Sequence, residues 1–485
     1  MKTRLLTLSL PLTFTALLGC PSGEPDPMDT GADDESSDDA NDDANDDASD
    51  DGSSDDGSSD DGSDDDASDT GEPAGCLAPT QGPTHHDEDI VGHEVWTADA
   101  SPHLVDWTVD VRDGATLEIE PCAVVQFAAG HGLNVAYPGT PTTGTLIAQG
   151  TEERPIRFEG RDGGRWGHLF VQAPGTASLA WVTFADGGGV DTRGASLIAS
   201  GTNELPTPTP LFVDHVTVTG SQGAGVVVDR IAGFAAGSTD LVVAASGDAA
   251  HPYPLVVGEH TIGSIPAGSY TGNAVDEILI DPEHSLAEDA TMRELGVPYV
   301  VAEANDLVVA SGDENAPATL TIEPGVRIEL AAGRSLEIEH YTGEFMASGA
   351  LVALGTAEQP IVFTSASPTP QPGDWTGLWF GGIVQPTTQL DHVRVEYTGA
   401  WCGCILSTCS DIDEFEGAVI MSQEPDHVFV TNSLIADGSS HGFVLGYDGS
   451  ALDFAAVNEF EGMGGCPMTL PRDGACPSPL PSCME

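Results

Sequence analysis

Thr116 to Val135 reads T-L-E-I-E-P-C-A-V-V-Q-F-A-A-G-H-G-L-N-V, and Thr319 to Ile338 reads T-L-T-I-E-P-G-V-R-I-E-L-A-A-G-R-S-L-E-I. Pro121 answers Pro324 and Gly130 answers Gly333, both at a spacing of 203 residues (324 − 121 and 333 − 130). The correspondence continues. G-T-L-I-A-Q-G-T-E-E-R-P-I-R-F (Gly144 to Phe158) matches G-A-L-V-A-L-G-T-A-E-Q-P-I-V-F (Gly349 to Phe363), and Arg165 to Phe170 matches Asp374 to Phe380. Each copy consists of short apolar–polar alternations cut by Gly, Pro, Asn and Asp. That is the pattern of strands with one buried face, separated by turns. Long-range self-similarity in such text predicts a stack of coils, an all-β solenoid.

The same pattern fills the chain from about Val91 to Gly464, in runs such as L-F-V-D-H-V-T-V and V-R-V-E-Y. The duplicated copies span about 92–235 and 296–464, within an ordered body over 76–465. At about 20–29 residues per coil, the body has room for roughly 13–18 coils. Pro252 to Tyr299 joins the copies and is expected to continue the solenoid; a hinge there is the alternative. Across the whole body, Ser285 to Leu295 is the one candidate for a short helix. Trp166 and Trp375 are expected at coil corners, and Glu323-Pro324-Gly325 at a turn.

L-T-I-E-P-G-V, then G-x-L-x-A-x-G-T-x-x-x-P-I-x-F, then G-D-W-x-G-L-x-F resembles the right-handed parallel β-helix of bacterial surface lipoproteins, within the pectin-lyase-like superfold. The resemblance covers about Gly92 to Gly464. It implies a right-handed parallel β-helix and leaves activity open, because one fold hosts many functions. Polysaccharide lyases on this scaffold use calcium-binding acids and a basic proton acceptor. Neither set can be picked out here.

The first residues look like a targeting segment. Lys2 and Arg4 precede a broken apolar stretch, Leu5 to Leu18, too short to span a membrane as a helix. Leu17-Leu18-Gly19-Cys20 resembles the lipobox of bacterial lipoproteins. The resemblance implies a signal peptide over 1–19, acylation of Cys20 and a membrane partner through that lipid. By resemblance to the sorting rule of enteric bacteria, Pro21 at the next position implies the outer membrane, with display at the cell surface. Residues 20–75 then form an acidic Asp/Ser/Gly-rich linker whose largest apolar side chain is Met28. Such a segment cannot bury enough apolar surface to offset ordering entropy and is expected to be a disordered tether.

Acid dominates throughout: 78 Asp and Glu stand against 14 Lys and Arg, a formal net charge of −64. This excludes a basic nucleic-acid footprint and opposes docking on anionic lipid. The D-D-G runs do not reproduce an EF-hand loop. No cofactor is expected, with calcium the only one left open, and no metal site is assigned.

Nine cysteines less Cys20 leave eight, an even number suited to disulfides in an exported chain. Cys76 is expected to pair with Cys122. Cys402, Cys404, Cys409, Cys466, Cys476 and Cys483 are expected to pair among themselves, bracing an insertion and the tail at 466–485.

Three Asp-His pairs invite a catalytic or metal reading: Asp214-His215, Asp391-His392 and Asp426-His427. Neighbours along a strand point to opposite faces, so the expectation is that each pair marks a strand start and does not converge. His85-His86-Asp87-Glu88 is placed at a flexible entrance. The best groove candidates are Asp374, Trp375, Asp391 and Arg394, although the first copy does not preserve the set. No G-x-S-x-G elbow or Walker pattern occurs. Two functions follow as expectations. One is a non-catalytic structural, adhesive or glycan-binding surface protein, with an extracellular glycan or a surface protein as partner. The other is a carbohydrate-active enzyme, a lyase or glycoside hydrolase.

Overall fold

The computed structural model describes residues 75–136, 142–190, 193–313, 315–339, 348–401, 416–471 and 483–484. The expected signal peptide and linker, Cys20, Cys402, Cys404, Cys409 and Cys476 lie outside the described residues.

Alternation builds the coils. Ala115–Ile119 and its counterpart Ala318–Ile322 both bury every second residue. In the first copy one coil runs through Ala115–Ile119, Val124–Phe127 and Leu133–Val135, and the next through Gly144–Gln149, Ile156–Gly160 and Leu169–Gln172. Each strand pairs in parallel with its successor one coil on: Leu117 with Leu146, Val125 with Phe158, Leu133 with Leu169. The second copy repeats this, aligning Leu320 with Leu351, Ile328 with Phe363 and Leu336 with Leu378. The body is a parallel β-helix with three faces per coil.

Inside, like side chains stack along the axis. Phe127 lies 4.6 Å from Trp166, and Phe158 lies 4.8 Å from Phe184, centroid to centroid. Trp166 and Trp375 are both fully buried at equivalent corners. Each solves the same problem, a buried indole N–H, by donating to a backbone carbonyl one coil on: Ala185 at 2.7 Å and Glu396 at 2.7 Å.

One sheet of thirteen parallel strands runs from Val109–Val111 to Glu459–Glu461, passing through 252–299 without a break. Its strands change identity on the way. From the first copy it takes the third strand of each coil, such as Leu133–Val135; from the second it takes the second strand, such as Arg327–Leu330. Arg327–Leu330 is the counterpart of Val124–Phe127, which belongs to another sheet. The copies are therefore turned by one face relative to each other. At this junction the first copy's other sheet ends at Gly268–Ser269, and two five-stranded sheets begin at Ala290–Met292 and Leu307–Val309.

No helix forms over Ser285–Leu295. Leu286 bridges to Val309, and Ala290–Met292 is a strand. Leu286 and Met292 are needed in the core, and their spacing suits extended backbone entering the stack. A six-residue 3-10 turn, Glu259–Ser264, lies upstream instead.

Cys76 and Cys122 are joined as expected, with Cα atoms 5.5 Å apart. Cys466 bonds Cys483 across 17 residues, tying the tail to the last coils. The entrance is structured where the sequence suggested flexibility. Thr84–His86 is a strand; His86 stacks on Trp96 at 4.1 Å, and His85 binds Asp106 at 2.6 Å.

Candidate functional site

The outward side of the thirteen-stranded sheet carries an apolar ladder. Register places Phe170, Ile198, Val227, Val256, Leu279 and Val300 directly over one another. An outward row on a water-facing sheet is normally polar, so a continuous apolar row needs cover or a ligand. At its upstream end Ala195 and Ala224 pack against it, leaving Ile198 and Val227 buried. Downstream it opens into a groove of about 530 Å³, lined by Tyr253, Leu279, Val300, Glu303, Ser365 and Asp374 among others.

Carboxylates rim this groove. Burial pushes the Tyr253 hydroxyl above its ordinary range, and the nearby charges of Glu277, Glu329 and Glu303 push it further. Burial likewise raises Glu277, with the charge of Glu329 adding to it and Arg327 opposing. Glu329 is held by the Arg327 guanidinium at 2.6 Å. Asp374 accepts from the Ser365 hydroxyl at 2.6 Å and from the Gln371 amide at 2.9 Å. An aromatic ring, aliphatic walls and several acceptors in one concavity suit a ligand with C–H faces and many hydroxyl donors.

Of the four groove residues expected from sequence, only Asp374 lines this cavity. Trp375 is fully buried in the core. Asp391 and Arg394 flank His392, whose φ is +49°. That left-handed residue turns the chain a corner, so Asp391 joins a five-stranded sheet and Arg394 the thirteen-stranded one. Arg394 is bound to Glu396, on its own strand. Tyr253, Glu277, Glu303 and Glu329 were missed. They lie up to 76 positions apart (329 − 253), and only the stacking of coils brings them together. The outward apolar positions in V-V-V, L-V-V and I-L-I were a usable signal, since a strand wet on one face should not be apolar on both.

The Asp-His pairs also depart from expectation. In all three the adjacent side chains touch, including Asp214 Oδ1 to His215 Nδ1 at 2.6 Å. Asp214-His215 lies within the strand Leu211–Thr219, not at its start. At His215, as at His392, the reason is left-handed backbone, φ +54° and +49°, which cancels the alternation that would separate neighbours. Corner residues of successive coils then stack: the Trp181 ring lies 4.0 Å from His215, and His215 Nε2 lies 3.4 Å from Asp240 Oδ2. Asp214, His215 and Asp240 bring ligand atoms within 4.8 Å of one another, a set able to hold a cation. In the second copy Asp391 Oδ2 accepts from Thr431 and from Asn432 at 2.9 Å. Partial burial opposes ionisation of Asp391, but these bonds and His392 hold it below the usual carboxylate range.

A smaller cleft of about 190 Å³ opens where the Cys76–Cys122 bond crosses the first coils, beside Leu77, Pro102 and Arg157. It contains no comparable cluster of acids and aromatics among the described residues.

Residues 304–389 match the family model of the pectate-lyase like beta helix domain. No curated protein and no solved structure matches the chain. The matched segment and the stacked parallel strands identify the fold as a pectin-lyase-like parallel β-helix.

Proposed function

We propose that this chain is a lipid-anchored surface protein that works by contact, holding a neutral, hydroxyl-rich polymer such as a glycan in the groove at Tyr253. The anchor is Cys20, the linker over 20–75 supplies reach from the outer membrane, and the β-helix is the displayed body. The observation that carries the contact reading is the groove itself. Tyr253 and the Leu279–Val300 wall offer a stacking surface, and Glu303 and Asp374 offer acceptors. A sugar ring has both complements, C–H faces and O–H donors. The acid surplus disfavours a polyanion, whose approach like charge would slow.

Binding of the chain to a panel of neutral and acidic glycans, read at equilibrium, is the test. Neutral glycans are expected to bind, and Tyr253→Ala to weaken them about tenfold through loss of the stacking face. Binding indifferent to Tyr253→Ala would remove the groove from consideration.

One feature favours a second reading, a carbohydrate-active enzyme. Burial, with the charge of Glu329 adding to it, raises Glu277, and a carboxyl raised in this way is what glycosidases use as the acid. That reading predicts new reducing ends from a bound glycan, lost in Glu277→Gln. The contact reading predicts binding without product.

A further inference from the structure

The two copies fill one corner in opposite ways. In the first copy Val105, Phe127 and Gly160 stand in register on three successive coils, so Asp106, Ala128 and Arg161 follow one another at the corner beyond them. Arg161 Nη1 donates to Asp106 Oδ1 at 2.7 Å, with the coil of Ala128 lying between them. In the second copy Val301, Leu330 and Ser365 hold the same register, and the corner residues are Ala302, Ala331 and Ala366. All three alanines line the groove. The cavity of about 530 Å³ therefore opens where the first copy sets an ion pair.

Charge inverts at the same place. Arg165, before Trp166, donates to the carbonyls of Gly187 and Gly220; its counterpart before Trp375 is Asp374. Trp107, after Asp106, is answered by Glu303. The corner passes from a side-chain charge of +1 (Asp106, Arg161, Arg165) to −2 (Glu303, Asp374), and both of these acids line the groove.

Tyr253 stands beside them. Burial first, then the charges of Glu277, Glu329 and Glu303, raise its hydroxyl, so these acids gather round the ring. Arg327, at 2.6 Å from Glu329, offsets one of the charges. The others give a negative potential to a concavity floored with methyl groups. An aromatic face with carboxylates beside it holds a cation, and the first copy supplies one to the equivalent corner from its own chain.

We infer that the groove contains a subsite for a protonated amine, and that the polymer it holds is a glycan with free amino groups. This rests on the groove being a glycan site and names the class of sugar. Tyr253 and the Leu279–Val300 wall take the C–H face of the ring, and Glu303 and Asp374 take the amine. A lysine or arginine side chain would bring the cation without a hydroxyl-bearing ring for the aliphatic wall.

The test measures equilibrium binding of the full-length chain in detergent, at a mildly acidic pH where a sugar amine is protonated. The probes are a glucosamine oligomer and its fully N-acetylated counterpart of equal length. The free-amine oligomer should bind about tenfold tighter. Raising salt to about 500 mM should remove that preference, as should Glu303→Gln with Asp374→Asn. Ala302→Asp with Ala366→Arg rebuilds the first copy's ion pair without changing net charge, and should abolish binding of both oligomers. Glu303→Gln, at an exposed position, decides the matter if that double variant does not fold. Equal binding of the two oligomers would overturn the amine subsite and leave the groove reading standing. A preference that survives Ala302→Asp with Ala366→Arg would assign it to general attraction by the acidic chain. An arginine-rich peptide binding tighter than the free-amine oligomer would make the partner a protein. Binding of neither oligomer would overturn the groove reading and the subsite together.

Discussion

Single residues in left-handed backbone set much of this molecule's chemistry. Cys122 and Gly325 occupy equivalent turns, with φ of +75° and +89°. Glycine bears this conformation freely, whereas a side chain costs roughly 1 kcal/mol. At Cys122 the cost is offset by the bond to Cys76, which closes 46 residues and by chain entropy is worth roughly 4 kcal/mol. Cys122→Ser should lose the crosslink and keep the strain. Cys122→Gly should lose the crosslink and recover about 1 kcal/mol, so denaturant melts should rank wild type above Gly above Ser. Ser as stable as Gly would mean the turn is unstrained. His86 offers a pH test. Burial first, then the neighbouring His103, lowers it to about 4. Below its unfolded value near 6.5 the unfolded chain binds a proton that the folded chain refuses. Stability is therefore intact above about 6.5 and falls as pH drops toward 4, by on the order of 2–3 kcal/mol. His86→Phe keeps a ring against Trp96 and should flatten that part of the pH profile; an unchanged profile would place the titration elsewhere.

At the level of elements, each strand contributes two or three inward side chains, and each is sandwiched between its equivalents above and below. Ile361 stands above Val393 and is fully buried. Ile361→Ala should cost about 2–4 kcal/mol as a cavity, and Ile361→Asp should prevent cooperative folding by placing an unpaired charge in the stack. Circular dichroism melts measure both; a native-like melt for Ile361→Asp would contradict the inward assignment. The inward face was legible in L-T-I-E-P and P-I-V-F because alternation is a local property of the backbone. The outward apolar ladder was legible only in part. Ile198, Val227 and Val256 were visible as apolar residues, but their alignment depends on how many residues each coil spends on its corners. Corner lengths vary: Leu133 to Leu169 takes 36 residues, Ile278 to Tyr299 only 21.

For the whole molecule, charge is the property composition controls. A formal charge of −64 makes self-repulsion a standing cost of compactness. The melting temperature should rise when salt goes from about 10 mM to about 500 mM, as screening shortens the reach of that repulsion. A salt-independent melt would show that the charge resides where folding does not concentrate it. On the proposed anchoring, Cys20→Ser should abolish labelling by a fatty-acid analogue; unchanged labelling would overturn the assignment of the anchor to Cys20.

The repeated text at Thr116 and Thr319 determined an all-β solenoid by itself, because strand alternation and turn residues are encoded within a few positions of each other; the parallel β-helix came from its resemblance to a known family. The even cysteine count carried the Cys76–Cys122 bond, and the repeat carried the corner positions of Trp166 and Trp375. Tertiary structure alone decided the rest. The copies are turned by one face, which no comparison of their similar words could reveal, since the turn accumulates in the unlike segment between them. Tyr253 with Glu329, and Glu259 with His284, meet only across coils. A solenoid brings together residues one coil length apart, and that length is set by corners whose backbone, at His215 or His392, reverses the local rule from which side-chain direction is read.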